Sequence, residues 1–176
     1  MMMAALCGSA IAPTTGSAQQ APPPVCEQED EYHAFDFWIG EWDVVVNDST
    51  RAPAGTNSIQ PLHRHCVLEE NWTSAQGGTG SSMNYYDPTT GNWRQIWLAA
   101  SYLIDIEGGL NDEGAMVLEG EIRSFVQKSS SPFRGTWTPI EDGVVRQFFE
   151  IGDPTTGAFT PWFDGLYLKK GQTPDR

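Results

Sequence analysis

Three groups of residues in this chain have types and spacings able to do chemistry. Glu69 and Glu70 begin the run Glu-Glu-Asn-Trp. On a strand, successive side chains point to opposite faces, so one carboxylate faces inward and the other outward. Arg94, Arg134 and Arg146 also fall in strand-like stretches, and some are expected to face the interior if the strands close on themselves. An inward Glu70 balanced by Arg94 or Arg146 would form a polar floor able to orient a small ligand or polarise a carbonyl. The same cluster could instead only fix the interior. The second group is aromatic: Tyr85, Trp93, Trp97, Trp137 and Phe148 are candidate walls of a ligand cavity, because such rings supply area and orientation. The third is His63-x-His65, which on an extended segment would put both imidazoles on one face, with Cys66 or Glu69 near and His33 able to join. No third ligand stands at a diagnostic spacing, so no metal site is expected, and no cofactor.

Another acid-rich stretch, FDFWIGEWDV from Phe35 to Val44, carries four aromatics and three carboxylates in ten residues. Its acids read as structural. A general acid needs burial to shift its pKa, whereas carboxylates in a turn commonly face outward or cap backbone N–H groups. Asp36, Glu41 and Asp43 are expected to face outward or to cap backbone N–H groups. The stretch also resembles the entry of small lipocalin-type barrels, where a short N-terminal turn plugs one end and leads through Gly-x-Trp into the first strand; that resemblance implies that Phe35, Phe37 and Trp38 form the plug. Gly40 permits a sharp entry into the first strand, and Trp42 begins an inward set with Val44 and Val46.

Composition limits the partners. The chain has 176 residues, 23 acidic against 10 basic, for a net charge of −13. Such a surface repels phosphate backbones and anionic lipids, which argues against nucleic-acid binding. No apolar run reaches the ~18 residues needed to cross a bilayer. Residues 1–18 read as an export signal: Met1 to Ala12 is apolar, and Gly16 and Ala18 supply small residues before Gln19. No Lys or Arg precedes the apolar run. Leu6 stands where a lipoprotein would carry a small residue before Cys7, so soluble export to a periplasmic or extracellular space is the expectation. Cleavage would leave Cys26 and Cys66, an even pair that favours one disulfide outside the cytoplasm.

The elements that must position these groups are strands. Residues 19–34 form a Pro-rich, then acidic, tether, with a short helix or 3₁₀ turn over Glu29–Ile39. Alternating patterns then predict about nine strands within a domain spanning 35–170, followed by a tail over 171–176. The first begins at Trp42; the next are Arg64–Thr73, Thr79–Tyr86, Asn92–Ala99 and Tyr102–Gly109. Ala115–Arg123, Phe133–Ile140, Val144–Ile151 and Trp162–Lys169 complete them. Asn92–Ala99 puts Trp93, Gln95 and Trp97 on one face and Arg94, Ile96 and Leu98 on the other. Asn111-Asp112-Glu113-Gly114, Glu141-Asp142-Gly143 and the two DPTTG strings at 87–91 and 153–157 are turns, with Gly taking a positive φ. Short sequential hairpins without a long crossover predict an all-β, antiparallel up-and-down barrel rather than a sandwich.

Several motifs together resemble an exported bacterial family of uncharacterised domains described as calycin-like or lipocalin-like barrels. They are FDFWIGEWDV, CVLEENW at 66–72, GxSMNYYD at 80–87, NWRQIW at 92–97, FRGTW at 133–137, VRQFFE at 145–150 and FDGLY at 163–167. The resemblance covers about residues 35–169. It departs after the VRQ strand, where GDPTTGAFTPW replaces the family's Ser-x-Asp-Gly-Gly-x-x-Trp. The resemblance implies the barrel and transfers no catalytic residues. The function expected is an exported barrel holding a small, partly apolar ligand. The alternatives are an isomerase or hydrolase using Glu70 with Arg94 or Arg146, and a barrel filled by its own side chains. An aromatic cavity with a buried, pKa-shifted carboxylate would favour the enzyme.

Overall fold

A computed structural model describes residues 24–140 and 143–171. The predicted signal segment, Cys7, the start of the tether and most of the C-terminal tail lie outside the described residues. So do Glu141 and Asp142 of one predicted turn.

Ten antiparallel strands close into an up-and-down barrel: β1 (Gly40–Val46), β2 (Pro53–Leu62), β3 (Val67–Ser74), β4 (Thr79–Asp87) and β5 (Asn92–Ala99). The circle continues through β6 (Tyr102–Leu110), β7 (Met116–Ser124), β8 (Ser129–Pro139), β9 (Val145–Gly152) and β10 (Phe159–Lys169). Pairing of β1 with β10, with Val44 opposite Tyr167, removes the last sheet edge. Each strand therefore has an inner face carrying the core and an outer face in contact with solvent.

The predicted strands are present with one addition. The addition is β2, whose run, PAGTNSIQPL, contains two prolines and only two large apolar residues and so carries a loop pattern. The buried positions on it are Asn57 and Ile59. The strand expected from Arg64 begins instead at Val67, because His63, Arg64 and His65 form a turn with φ of 50°, 57° and 72°. The two DPTTG strings are independent loops of like construction. Asp87 Oδ1 accepts from the Thr89 N–H, Asp153 Oδ1 accepts from the Thr155 N–H, and Gly91 and Gly157 take positive φ.

The N-terminal segment closes one end of the barrel. Three 3₁₀ turns, Val25–Glu27, Asp30–His33 and Asp36–Trp38, carry Phe35 and Trp38 into full burial. Phe35 stacks on Trp38 at 4.9 Å and meets the edges of Trp93 and Trp137. The Trp93 indole donates to the Glu31 carbonyl at 3.0 Å. Trp42 is also fully buried; its indole donates to the Trp38 carbonyl at 2.9 Å, and the Lys169 ammonium lies 3.9 Å above its ring. A disulfide joins Cys26 to Cys66, with Cα atoms 5.0 Å apart, and fastens the plug to the β2–β3 turn. Among the described residues no helix is long and apolar enough to cross a membrane.

Candidate functional site

Strand alternation decides which candidates reach the lumen. In β5, Trp93, Gln95 and Trp97 share one face, as their spacing predicts; that face points inward, and Arg94 points outward. Arg94 forms a two-point pair with Asp105 on β6, 2.9 Å at each contact, and Asp105 holds its pKa above the usual guanidinium range. Arg146 likewise lies outside, paired with Asp164 at 2.8 Å and covering the Phe148 ring. Arg134 pairs with Glu150 and Glu119. The expectation that a lumenal Arg balances Glu70 is therefore wrong. Each of these arginines has an acid across the outer face, where its charge stays hydrated and costs little.

Glu70 does point inward and is 3% exposed. Its partners are neutral. Asn57 Nδ2 donates to Oε1 at 2.7 Å, and the Ser82 hydroxyl, directly across the β3–β4 ladder, donates to Oε2 at 2.6 Å. The network extends outward from there. Asn84 donates to Ser82 at 2.8 Å, Gln95 to Asn84 at 2.8 Å, Asn57 to the Tyr167 oxygen at 3.1 Å, and Tyr167 to Gln147. Burial pushes the Glu70 carboxyl up to about 7 against the pull of Ser82 and Asn57. Burial and the nearby Glu70 charge push the Tyr167 phenol well above its ordinary range.

Above this floor lies a cavity of about 170 Å³. Glu70, Gln95, Gln147 and Tyr167 form its polar base, and Ile104 and six aromatics form its wall: Trp72, Trp97, Tyr102, Phe149, Trp162 and Phe163. Trp72 and Trp97 sit on the parts of β3 and β5 far from the plug, so the cavity belongs to the opposite end of the barrel. A register shift between Pro161 and Phe163 makes room for an extra residue in β10. Such bulges re-aim side chains, and this one brings both Trp162 and Phe163 to the wall. Trp162 remains 44% exposed at the rim and stacks on Phe149 at 6.3 Å. Glycines make room for these rings, Gly80 on the neighbouring β4 and Gly165 two residues along β10. A Cβ at Gly80 would stand 2.3 Å from the Trp97 ring, and one at Gly165 would stand 2.5 Å from Phe163.

Of the five predicted wall residues, Trp97 alone lines this cavity. Trp93 and Trp137 are buried in the aromatic core beneath the plug. Tyr85 pairs across the ladder with Arg94 on the outer face, and Phe148 lies outside while its neighbour Phe149 points in. A one-residue difference in register reverses the face, and the double Phe of β9 hides which ring is which.

A second cluster sits at the plug end. His33 Nδ1 lies 2.8 Å from Asp36 Oδ2, and His65 Nε2 lies 2.7 Å from Asp36 Oδ1. Asp36, expected to face outward or cap a backbone N–H, instead bonds two imidazoles. His63 takes no part and is exposed, because the turn that holds it is not the extended segment expected.

The fold and the lumen define a class: a closed antiparallel barrel with an aromatic pocket over a buried acid. Neither a family model nor a curated protein sequence matches this chain.

Proposed function

We propose that this is an exported binding protein that holds a small, partly apolar molecule in its lumen. The supporting observation is the cavity itself: six aromatic rings around a base of hydrogen-bonding groups, deep in a barrel with no sheet edge. Its volume of about 170 Å³ is close to that of an engineered cavity of about 150 Å³ that accepts benzene in another protein. The ligand is thus one or two rings in size, with a polar group that meets Glu70, Gln95 or Gln147. The resemblance to exported calycin-like domains agrees with this reading. So does the Cys26–Cys66 disulfide, since such bonds persist in oxidising compartments.

Glu70 supports a second reading. A carboxyl that titrates near 7 inside an aromatic pocket is suited to proton transfer at neutral pH, as in an isomerase or hydrolase. The arginines expected to assist such a reaction lie outside the barrel, which leaves Glu70 to act with Tyr167 and the amides. Ligand-observed NMR with a panel of one- and two-ring fragments separates these ideas. Binding lost in Ile104→Phe, which fills the cavity, supports the lumen as the site. Binding unaffected by that variant would overturn it. Chemical conversion of a bound fragment that stops in Glu70→Gln, with binding retained, would favour the enzyme.

A further inference from the structure

The geometry points to a zinc-binding site at the plug end of the barrel, formed by His33 Nδ1, a carboxylate oxygen of Asp36 and His65 Nε2. These three donor atoms lie within 4.8 Å of one another. They come from two separated pieces of chain: His33 ends one 3₁₀ turn, Asp36 begins the next, and His65 lies in the β2–β3 turn. A tetrahedral zinc, about 2.0–2.1 Å from each nitrogen, sets its ligands about 3.3 Å apart. The two His–Asp contacts, 2.8 Å to Oδ2 and 2.7 Å to Oδ1, are shorter than that spacing, so an ion would replace both hydrogen bonds and take the three donors by side-chain rotation. The two imidazoles lie side by side, with centroids 4.2 Å apart and planes tilted by 36°. The cluster is half-buried, so an ion can enter and a fourth position stays open to water.

The backbone around His65 explains why sequence spacing missed the third ligand. His63, Arg64 and His65 all occupy the left-handed region, which non-glycine residues avoid. Two ties hold them there: the Cys26–Cys66 bond on the next residue, and the Arg64–Glu27 pair at 3.0 and 2.7 Å. Turning the chain this way separates His63 from His65 and delivers only His65 to Asp36. Strain held in place by surrounding ties concentrates at functional positions.

The donor set selects the ion class. Two imidazoles and one carboxylate suit zinc and similar divalent transition ions. Calcium and magnesium take oxygen ligands, and two of the three donors here are imidazole nitrogens. Cys66, whose thiolate would favour softer ions, is occupied in the disulfide. The site is separate from the lumenal cavity, so its test is independent of ligand binding.

The experiment is a zinc titration of the untagged, disulfide-bonded protein against a chromophoric chelator, with imidazole signals followed by NMR. One zinc per chain is expected, with shifts on His33 and His65 and none on His63. Asp36→Asn and His65→Ala should each weaken binding at least about tenfold, whereas His63→Ala should leave it unchanged. Binding well below one equivalent would overturn the assignment. So would affinity unchanged in Asp36→Asn, or a His63→Ala loss as large as that of His65→Ala. The imidazole shifts are read on the unaltered protein, so the test stands even if a variant fails to fold.

Discussion

Replacing Glu70 by Gln should flatten the pH dependence of stability by an amount set by its burial. In the folded protein the carboxyl titrates near 7; in the unfolded chain it returns to about the ordinary value of 4.5. The folded state therefore binds this proton more tightly. Its contribution is fully present below about pH 4.5 and is lost as pH rises through about 7. The gap corresponds to about 3 kcal/mol at about 1.4 kcal/mol per pH unit. Burial of Glu70 to 3% exposure leaves little solvent screening to reduce it. The glutamine amide keeps the shape but does not titrate, and the other ionisable groups cancel when the two proteins are compared. Urea unfolding curves from pH 4.5 to 8 provide the assay. The wild type should lose about 3 kcal/mol relative to Glu70→Gln across that range, with no change in denaturant slope. Parallel curves would mean that Glu70 stays ionised in the fold, and the explanation from burial would fail.

Three further outcomes follow from the same geometry. Trp42→Ala should cost about 3–5 kcal/mol, because it empties a fully buried site beneath Lys169; a loss below about 1 kcal/mol would mean that the plug end repacks freely. Reduction should raise the intact mass by about 2 Da as the single Cys26–Cys66 bridge opens, and Cys26→Ser with Cys66→Ser should lower stability by up to about 4 kcal/mol for a sequence separation of 40. Equal melting of the oxidised and reduced protein would refute the staple. Gly80→Ala should drive the Trp97 ring into the cavity, weakening fragment binding more than it lowers stability, which calorimetry and thermal melts can separate. Unchanged affinity would place the ligand elsewhere.

Much of the fold was legible because it rests on local rules. The period-two pattern of NWRQIW puts Trp93, Gln95 and Trp97 on one face and Arg94 on the other, and the DPTTG and NDEG strings mark turns. The site was less legible because it depends on register. Glu70 could be placed on a strand, but its companions Asn57 and Ser82 come from β2 and β4, and β2 looks like a loop until it is paired. The arginines fit a lumen equally well until Asp105, Asp164 and Glu150 are found opposite them on the outer face. Phe149 and Trp162 reach the wall through a double Phe and a bulge, neither of which has a face that periodicity can assign. Asp36 bridges His33 and His65 through a turn whose left-handed backbone has no pattern in His-Arg-His.

The most direct measurement of the proposed function is native mass spectrometry of the protein purified without denaturation from cells that produce it. One noncovalent adduct per chain is expected, of a mass suited to one or two rings, present in the wild type and absent from Ile104→Phe. A bare-chain mass for the wild type, under conditions that preserve a reference complex of similar affinity, would contradict a lumenal ligand. So would an adduct retained by Ile104→Phe.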